Sequence, residues 1–274
     1  ISKSGNTIET LANISALGIL KRKSKNIISI SEKNNNQLYN AAKKNNIFHI
    51  EHKKYIGGRY SILSEVGMVP SYFMGVNFLK MRENINNNFN NNNKFLKESS
   101  IKLENLLKNK KINSLIFLNY SPSMKSFLNW LQQLVAESLG KKGYGFLPVV
   151  SEAPKDHHSL LQLYLDGPKD KLIYIFSEKS EKNKNFSKSN FKFLRNKNLS
   201  QIKLAQKNAL VGVLRKKGIP FREFIIPRLS ESVLGEIFSY FILEVALVGM
   251  ISNINPFNQP AVEEVKIRTK KILS

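Results

Sequence analysis

Several separated clusters in this chain carry side chains able to do chemistry. Gln133 and Glu137 are four residues apart, so a helix puts an amide and a carboxylate on one side. A carboxylate held this way can take and return a proton, although a solvated Glu near a helix end has the same pattern. Ser2-Lys3-Ser4-Gly5-Asn6-Thr7 collects hydroxyls and free backbone N–H groups at the start of a helical run. There the helix dipole favours an anion such as phosphate; an ordinary polar N-cap also reads this way. In Ile56-Gly57-Gly58-Arg59-Tyr60-Ser61 the paired glycines let backbone approach a ligand. Arg59 at the tip of that turn offers a planar fork suited to an oxyanion, or is simply a surface arginine. His158 and Gln162 are four apart in a run that starts near Asp156, and two adjacent histidines on a surface helix are usually inert.

Regular elements must position these groups. Met124, Phe127, Leu128, Leu131 and Val135 recur at helical spacing. Ser121 and Pro122 suit the start of that helix and Gly140 its end. Asn6 followed by Glu9 reads as a capping box for a helix that begins near Ile8. Ile27–Ile30, Phe48–Ile50, Leu115–Leu118, Lys171–Phe176 and Phe224–Ile226 read as short buried strands, and Gln201–Lys216 as a helix. The apolar run Val233–Ile251 approaches the length of a membrane span. Glu236 and Glu244 interrupt it, and Gly235 and Gly249 suit close packing, so a buried core helix is expected. Strands alternating with helices predict an α/β fold with parallel sheets. The Asn-dominated stretch Glu83–Lys94 reads as a solvated loop between domains, and the Lys/Asn/Ser-rich stretch Ser177–Ser200 as a mobile one.

The 274 residues are 42% hydrophobic, enough for two modest α/β domains or one large one. There is no cysteine, which excludes disulfides and thiolate metal sites, and the four histidines show no metal-cage spacing. A formal net charge of +23 raises the possibility of a nucleic-acid partner. The lysines are scattered and accompanied by many Asn and Ile, as an AT-rich coding bias produces, so no nucleic-acid partner is expected. The charge can still gather an anionic substrate. The chain opens at Ile1 inside the hydroxyl-rich motif, with no charged segment followed by an apolar one, so no secretory signal is expected. A fragment lacking its N-terminal portion is expected.

Taken together, four segments resemble the glucose-6-phosphate isomerase family, in that family's order: Ser2-Lys3-Ser4 through Thr10, Gly57–Ser61, Ala136-Glu137-Ser138 with Gly140-Lys141, and Gln259 through Lys266. The His158–Gln162 segment falls between the last two. Ser4 stands where the family commonly has Thr, and Pro260-Ala261 where it often has Gly. The resemblance implies sugar-isomerase (SIS) domains, each a parallel β-sheet flanked by helices in a three-layer αβα sandwich. It places a remnant of the first domain at 1–95, the second at 96–252 and a C-terminal arm at 253–274. It implies an aldose–ketose isomerase acting on D-glucose 6-phosphate and D-fructose 6-phosphate through a cis-enediolate, in glycolysis and gluconeogenesis. By resemblance, Glu137 is the base, Arg59 stabilises the enediolate, and His158 opens the ring with help from Lys266. Ser2, Lys3, Ser4 and Thr7 match the phosphate cradle, and Gln133, Gln259 and Gly58 match substrate contacts. The resemblance implies no cofactor, no metal and no membrane. It also implies a cytoplasmic homodimer whose active site is shared, with the histidine supplied by the partner subunit. Another SIS-domain sugar-phosphate isomerase and a non-catalytic sugar-phosphate-binding regulator are the alternatives; the presence of Glu137 and Lys266 speaks against the regulator.

Overall fold

The computed structural model describes residues 1–21, 23–89, 93–179 and 189–273. They divide into two compact units, Ile1–Arg82 and Glu83–Ser274. In the first, α1 (Ile8–Leu17), β1 (Ile28–Ser31), α2 (Gln37–Lys44) and β2 (Phe48–Glu51) alternate. A 3-10 turn (Gly58–Leu63) and α3 (Glu65–Phe73) follow, with α4 (Phe78–Glu83) at the division. β1 and β2 pair in parallel, Ile30 opposite Ile50. Asn36 caps α2, its side chain accepting from the Tyr39 N–H, and Leu38 and Ala42 bury the face of α2. The expected Asn6–Glu9 capping box does not form. Thr7 is the N-cap of α1 and makes no side-chain cap bond. The Asn6 amide oxygen instead accepts from the Gln37 N–H at 3.1 Å.

The second unit contains α5 (Ile85–Phe89), α6 (Lys94–Asn109), β3 (Ser114–Asn119), α7 (Lys125–Leu139), β4 (Leu147–Glu152), α8 (Leu161–Asp166), β5 (Lys171–Glu178), α9 (Leu199–Lys217), β6 (Phe221–Ile226), α10 (Glu231–Ile251) and α11 (Ala261–Leu273). Its four strands are parallel, in the order β4-β3-β5-β6. Such a sheet needs a crossover between neighbours and helices over both faces, and the sequence provides both. On one face Ile116, Leu118, Ile173 and Ile175 pack with Tyr164 of α8 and with Leu210, Val211 and Leu214 of α9. On the other, Phe117, Phe176 and Phe224 form an aromatic cluster with Phe127 of α7 and Phe241 of α10; Phe176 and Phe224 stack at 4.7 Å. The result is the three-layer αβα sandwich.

Local departures from the sequence reading have physical causes. β4 has no clean strand signature because Pro148 interrupts it. It is an edge strand, where a missing N–H costs least. The Asn-rich stretch is not a plain solvated loop. Within it Ile85–Phe89 is helical, and Asn88 is buried, its amide donating to Glu236 O (2.8 Å) and Ser239 Oγ (2.7 Å) of α10; residues 90–92 lie outside the described ones. Of the Ser177–Ser200 stretch, residues 180–188 also lie outside them. α10 is apolar and long enough to cross a membrane by composition, but Phe241, Val245 and Val248 are within 1% of full burial. Its Glu244, also 1% exposed, is neutralised by Arg222 of β6 at 2.7 Å.

α7 rests on Leu128, Leu131 and Leu134, each 0% exposed. Leu131→Ala would leave a cavity there, and urea unfolding should register a loss of about 2–5 kcal/mol. A loss below about 1 kcal/mol would mean that the helix repacks freely.

Candidate active site

In the first unit the hydroxyl loop is tied beside β1. Ser2 N–H donates to Ile30 O (3.0 Å) and Glu32 N–H to Lys3 O (2.9 Å). The Ser2 and Thr7 hydroxyls meet at 2.8 Å. Ser4 Oγ accepts from the Asn6 N–H at 3.3 Å, and Lys3 lies 3.9 Å from Glu32. The loop closes through Gly5, whose φ of +62° favours glycine. A Cβ there would fall 1.7 Å from Asn36 Oδ1. The structure therefore brings Ser2, Ser4 and Thr7 into one turn at the mouth of α1. The first N–H groups of a helix have no partner in the helix itself, and the N-cap side chain leaves them unoccupied.

Arg59 belongs to the 3-10 turn, which follows directly on Gly57. It is buried, 4% exposed, not at the tip of a surface turn as expected. Its guanidinium carbon lies 5.2 Å from the Tyr60 ring centroid. Tyr60 N–H donates to Gly57 O (3.0 Å) and Ser61 Oγ to Gly58 O (2.6 Å), so both glycine carbonyls are engaged. α3 presses on the turn at Gly67, where a Cβ would stand 1.9 Å from Ile62 O.

In the second unit Gln133 Nε2 donates to Glu137 Oε1 at 3.0 Å, and Glu137 is half-buried at the end of α7. Gly140 stops the helix, as its position suggests. Ser121 does not cap its start. The chain enters through a 3-10 turn (Pro122–Met124), and the Ser121 hydroxyl bonds Ser123 and the Glu178 carboxylate instead. Beyond α7, Lys141 Nζ donates to Ser138 O (3.1 Å) and Asn255 O (2.6 Å). This clip lays the segment after α10 against the end of α7. The cleft between them, about 860 Å³, is lined by Glu137, Lys142, Tyr144, Asn255 and Gln259 among others. Such a volume suits a small-molecule ligand. Lys266 is not in that lining: on exposed α11 it pairs with Glu263 at 2.6 Å.

His158 lies in the loop after β4, not on a helix: the run from Asp156 is a 3-10 turn (Lys155–His157), and α8 starts only at Leu161. His158 and Gln162 therefore do not share a helical face. Asp156 builds the turn by accepting from Ser151 Oγ (2.9 Å), Glu152 N–H (2.7 Å) and Ser159 Oγ (3.0 Å). Partial burial raises the Asp156 pKa, but these bonds outweigh it and hold the carboxyl below its usual range. His157 turns inward to the Tyr120 hydroxyl, 2.6 Å away, while His158 is exposed. Burial, then the charge of His158, hold the His157 pKa below 6.5, and burial raises that of Tyr120. A neutral imidazole and a neutral phenol thus share one bond and fix the turn. The tyrosine anchor and the Lys141 clip join residues too distant in sequence for any spacing to signal them. Among the described residues no group of three or more His, Asp or Glu is placed to hold a metal.

Two units of parallel strands and helices, one with a carboxylate cleft and the other with a hydroxyl turn, define an α/β protein. No family model matches the chain. It is 32% identical over 280 residues to the glucose-6-phosphate isomerase of Methanocaldococcus jannaschii, covering 97% of this chain and 69% of that one. It is also 32% identical over 285 residues to a probable glucose-6-phosphate isomerase of Methanococcus maripaludis, covering 96% and 62%. A crystal structure of a glucose-6-phosphate isomerase from Chlamydia trachomatis shares the fold, with a TM-score of 0.79 at 18% identity over 99% of this chain and 58% of that one. The chain belongs to the glucose-6-phosphate isomerase family, and it spans roughly two thirds of the length of these two relatives.

The His157 ring has a testable acid signature. Its folded pKa lies below 6.5, so as pH falls through that value the unfolded chain binds the proton first. The stability it contributes is present above that window and lost below it. Chemical denaturation at about pH 7.5 and about pH 5.5 should show a smaller acid loss in His157→Gln than in the unmodified protein. Equal losses would rule this out.

Proposed function

We propose that the protein interconverts D-glucose 6-phosphate and D-fructose 6-phosphate, as an enzyme of glycolysis and gluconeogenesis in the cytoplasm. The observation that carries the reading is Glu137 at the wall of a cleft of about 860 Å³, hydrogen-bonded by Gln133, with Gln259 lining the same cleft. Membership of the family supports it.

Opening the sugar ring exposes a carbonyl, and His158, with Lys266, serves that step. Glu137 then takes the proton from the carbon beside the carbonyl. The electron pair left behind forms the double bond of a cis-enediolate, and negative charge builds on the former carbonyl oxygen. Arg59 stabilises that charge, a role in which its fixed planar fork suits the oxyanion. As the hydroxyl proton of the neighbouring carbon passes to the charged oxygen, Glu137 returns the same carbon-bound proton to the former carbonyl carbon, and the new carbonyl forms on its neighbour. Ser2, Lys3, Ser4 and Thr7 hold the phosphate, and Gly58, Gln133 and Gln259 contact the substrate. The phosphate anchor lets binding energy away from the reacting carbons position them.

The path of the second unit supports a site shared between two copies. α7 leaves the carboxyl ends of the strands and runs back for 15 residues, about 22 Å. Glu137 thus lies toward the end of the sheet where β4 begins, whereas His158 follows β4, which climbs about 20 Å to the opposite end. The chain path sets the two groups toward opposite ends of the strands. A homodimer that sets the His158 end of one subunit against the Glu137 end of its partner would unite them.

Glu137→Gln keeps the shape and removes the proton acceptor. In the full-length protein, a coupled assay should show turnover lower by at least about 10²-fold, with sugar-phosphate binding little changed. Near-normal exchange of the C2 proton with solvent in that variant would sink the assignment.

Mixed dimers test the sharing. Glu137→Gln and His158→Ala homodimers should each be poor. In a mixed dimer one site has both groups intact and the other lacks both. Co-refolding should recover activity toward one working site per mixed dimer. Mixed dimers that form without recovery would place both groups on one chain.

A further inference from the structure

A buried histidine that the mechanism does not use sits under the arginine turn. His52, at the end of β2, is 1% exposed. Its backbone N–H donates to Ser31 O at 2.8 Å. Its ring has two partners: Nε2 lies 3.1 Å from Ile56 O, and Nδ1 contacts Oε1 of Glu65, the first residue of α3. Ile56 immediately precedes the glycine pair that delivers Arg59. A single imidazole therefore bridges the start of the glycine–arginine segment and the helix that follows it.

The chemistry of the partners fixes the protons. A carbonyl oxygen can only accept, so Nε2 carries hydrogen. An ionised carboxylate can only accept as well, which puts a second hydrogen on Nδ1. Partial burial raises the Glu65 pKa, but bonds from its own backbone, from His52 and from Lys53 outweigh that effect and keep the carboxyl below its usual range. We propose that His52 is an imidazolium clamped between Glu65 and the Ile56 carbonyl, and that this pair is the positioning element that aims Arg59 at the developing enediolate.

A neutral imidazole has one N–H and can serve only one of the two partners. Glu65→Gln therefore replaces the charged tie to α3 with a neutral one, in which the amide can donate to Nδ1 while Nε2–H keeps Ile56 O, and the bridge across the turn weakens. A charged pair whose histidine is fully buried is a strong locator, because breaking it leaves a buried charge without its counterion. On the Ile56 side, the Ile56 N–H also donates to Lys53 O at 3.0 Å. On the far side of Arg59, Ser64 Oγ closes back on Ser61 O at 2.8 Å.

The role assigned to Arg59 here rests on the isomerase reading, so the test has two arms. The first needs no activity. A long-range proton–nitrogen NMR spectrum of the protein at neutral pH should show both ring nitrogens of His52 protonated, and in Glu65→Gln one of them should lose its proton. A neutral His52 ring in the unmodified protein would overturn the proposal. The second arm is kinetic. Arg59 acts on charge that exists only in the transition state, so a loosened turn should lower kcat and leave KM for fructose 6-phosphate nearly unchanged. We expect kcat to fall on the order of tenfold in Glu65→Gln, less than the about 10²–10³-fold that outright removal of an oxyanion donor costs. Glu65→Asp, which keeps the charge, should recover part of it. Unchanged kcat, or a loss confined to KM, would overturn the positioning role. If the unmodified full-length protein had no isomerase activity, the assigned reaction would fall, and the NMR arm alone would uphold or overturn the clamp.

Discussion

Parallel pairing is the constraint on which the second unit depends. Neighbouring strands that run the same way cannot be joined by a tight turn; the chain must return across the face of the sheet. β3, α7 and β4 obey this: α7 brings the chain back to the start of β4, and β4 carries it to the opposite end of the strands. Glu137 lies before that strand and the His158 loop after it. The separation of these two groups is thus the outcome of strand direction. The apolar stripe Phe127, Leu128, Leu131, Val135 serves the same constraint, since it seats the crossover helix on the sheet.

The two units fix their polar groups by different means. The hydroxyl turn is held mainly through backbone: Ser2 and Lys3 bond to β1, and Gly5 admits Asn36 because it has no side chain. Such bonds survive changes of residue type at Lys3 and Ser4. The His158 turn depends on side chains, with Asp156 accepting three bonds and Tyr120 anchoring His157. That turn is vulnerable to single substitutions that the hydroxyl turn would tolerate.

Legibility followed the range of the interactions. Periodicity revealed β3, β5, α7, α9 and α10, because burial of one face imposes it. The Gln133–Glu137 bond was readable too, since four residues along a helix is a fixed geometry. Caps failed where a distant partner competed: Asn6 went to Gln37, and Ser121 went to Glu178. β4 was hidden by Pro148, which only an edge position excuses. Arg59 gave no sign of its burial, and His52 none of its role. Both depend on β2, the glycine pair and α3 meeting in space, and no local pattern encodes that meeting.

With no side chain at Gly67, the α3 backbone lies directly against the Ile62 carbonyl. The arginine turn is consequently bounded by a charged pair at one end and a backbone spacer at the other. For protein engineering this makes residues 52–67 a cassette. A graft of the glycine–arginine loop alone into another scaffold would carry the guanidinium without the means of aiming it. Every non-glycine member of a library randomised at Gly67 would put a Cβ 1.9 Å from the Ile62 carbonyl oxygen, whereas exposed positions such as Lys54 and Tyr55 offer sequence space at little structural cost.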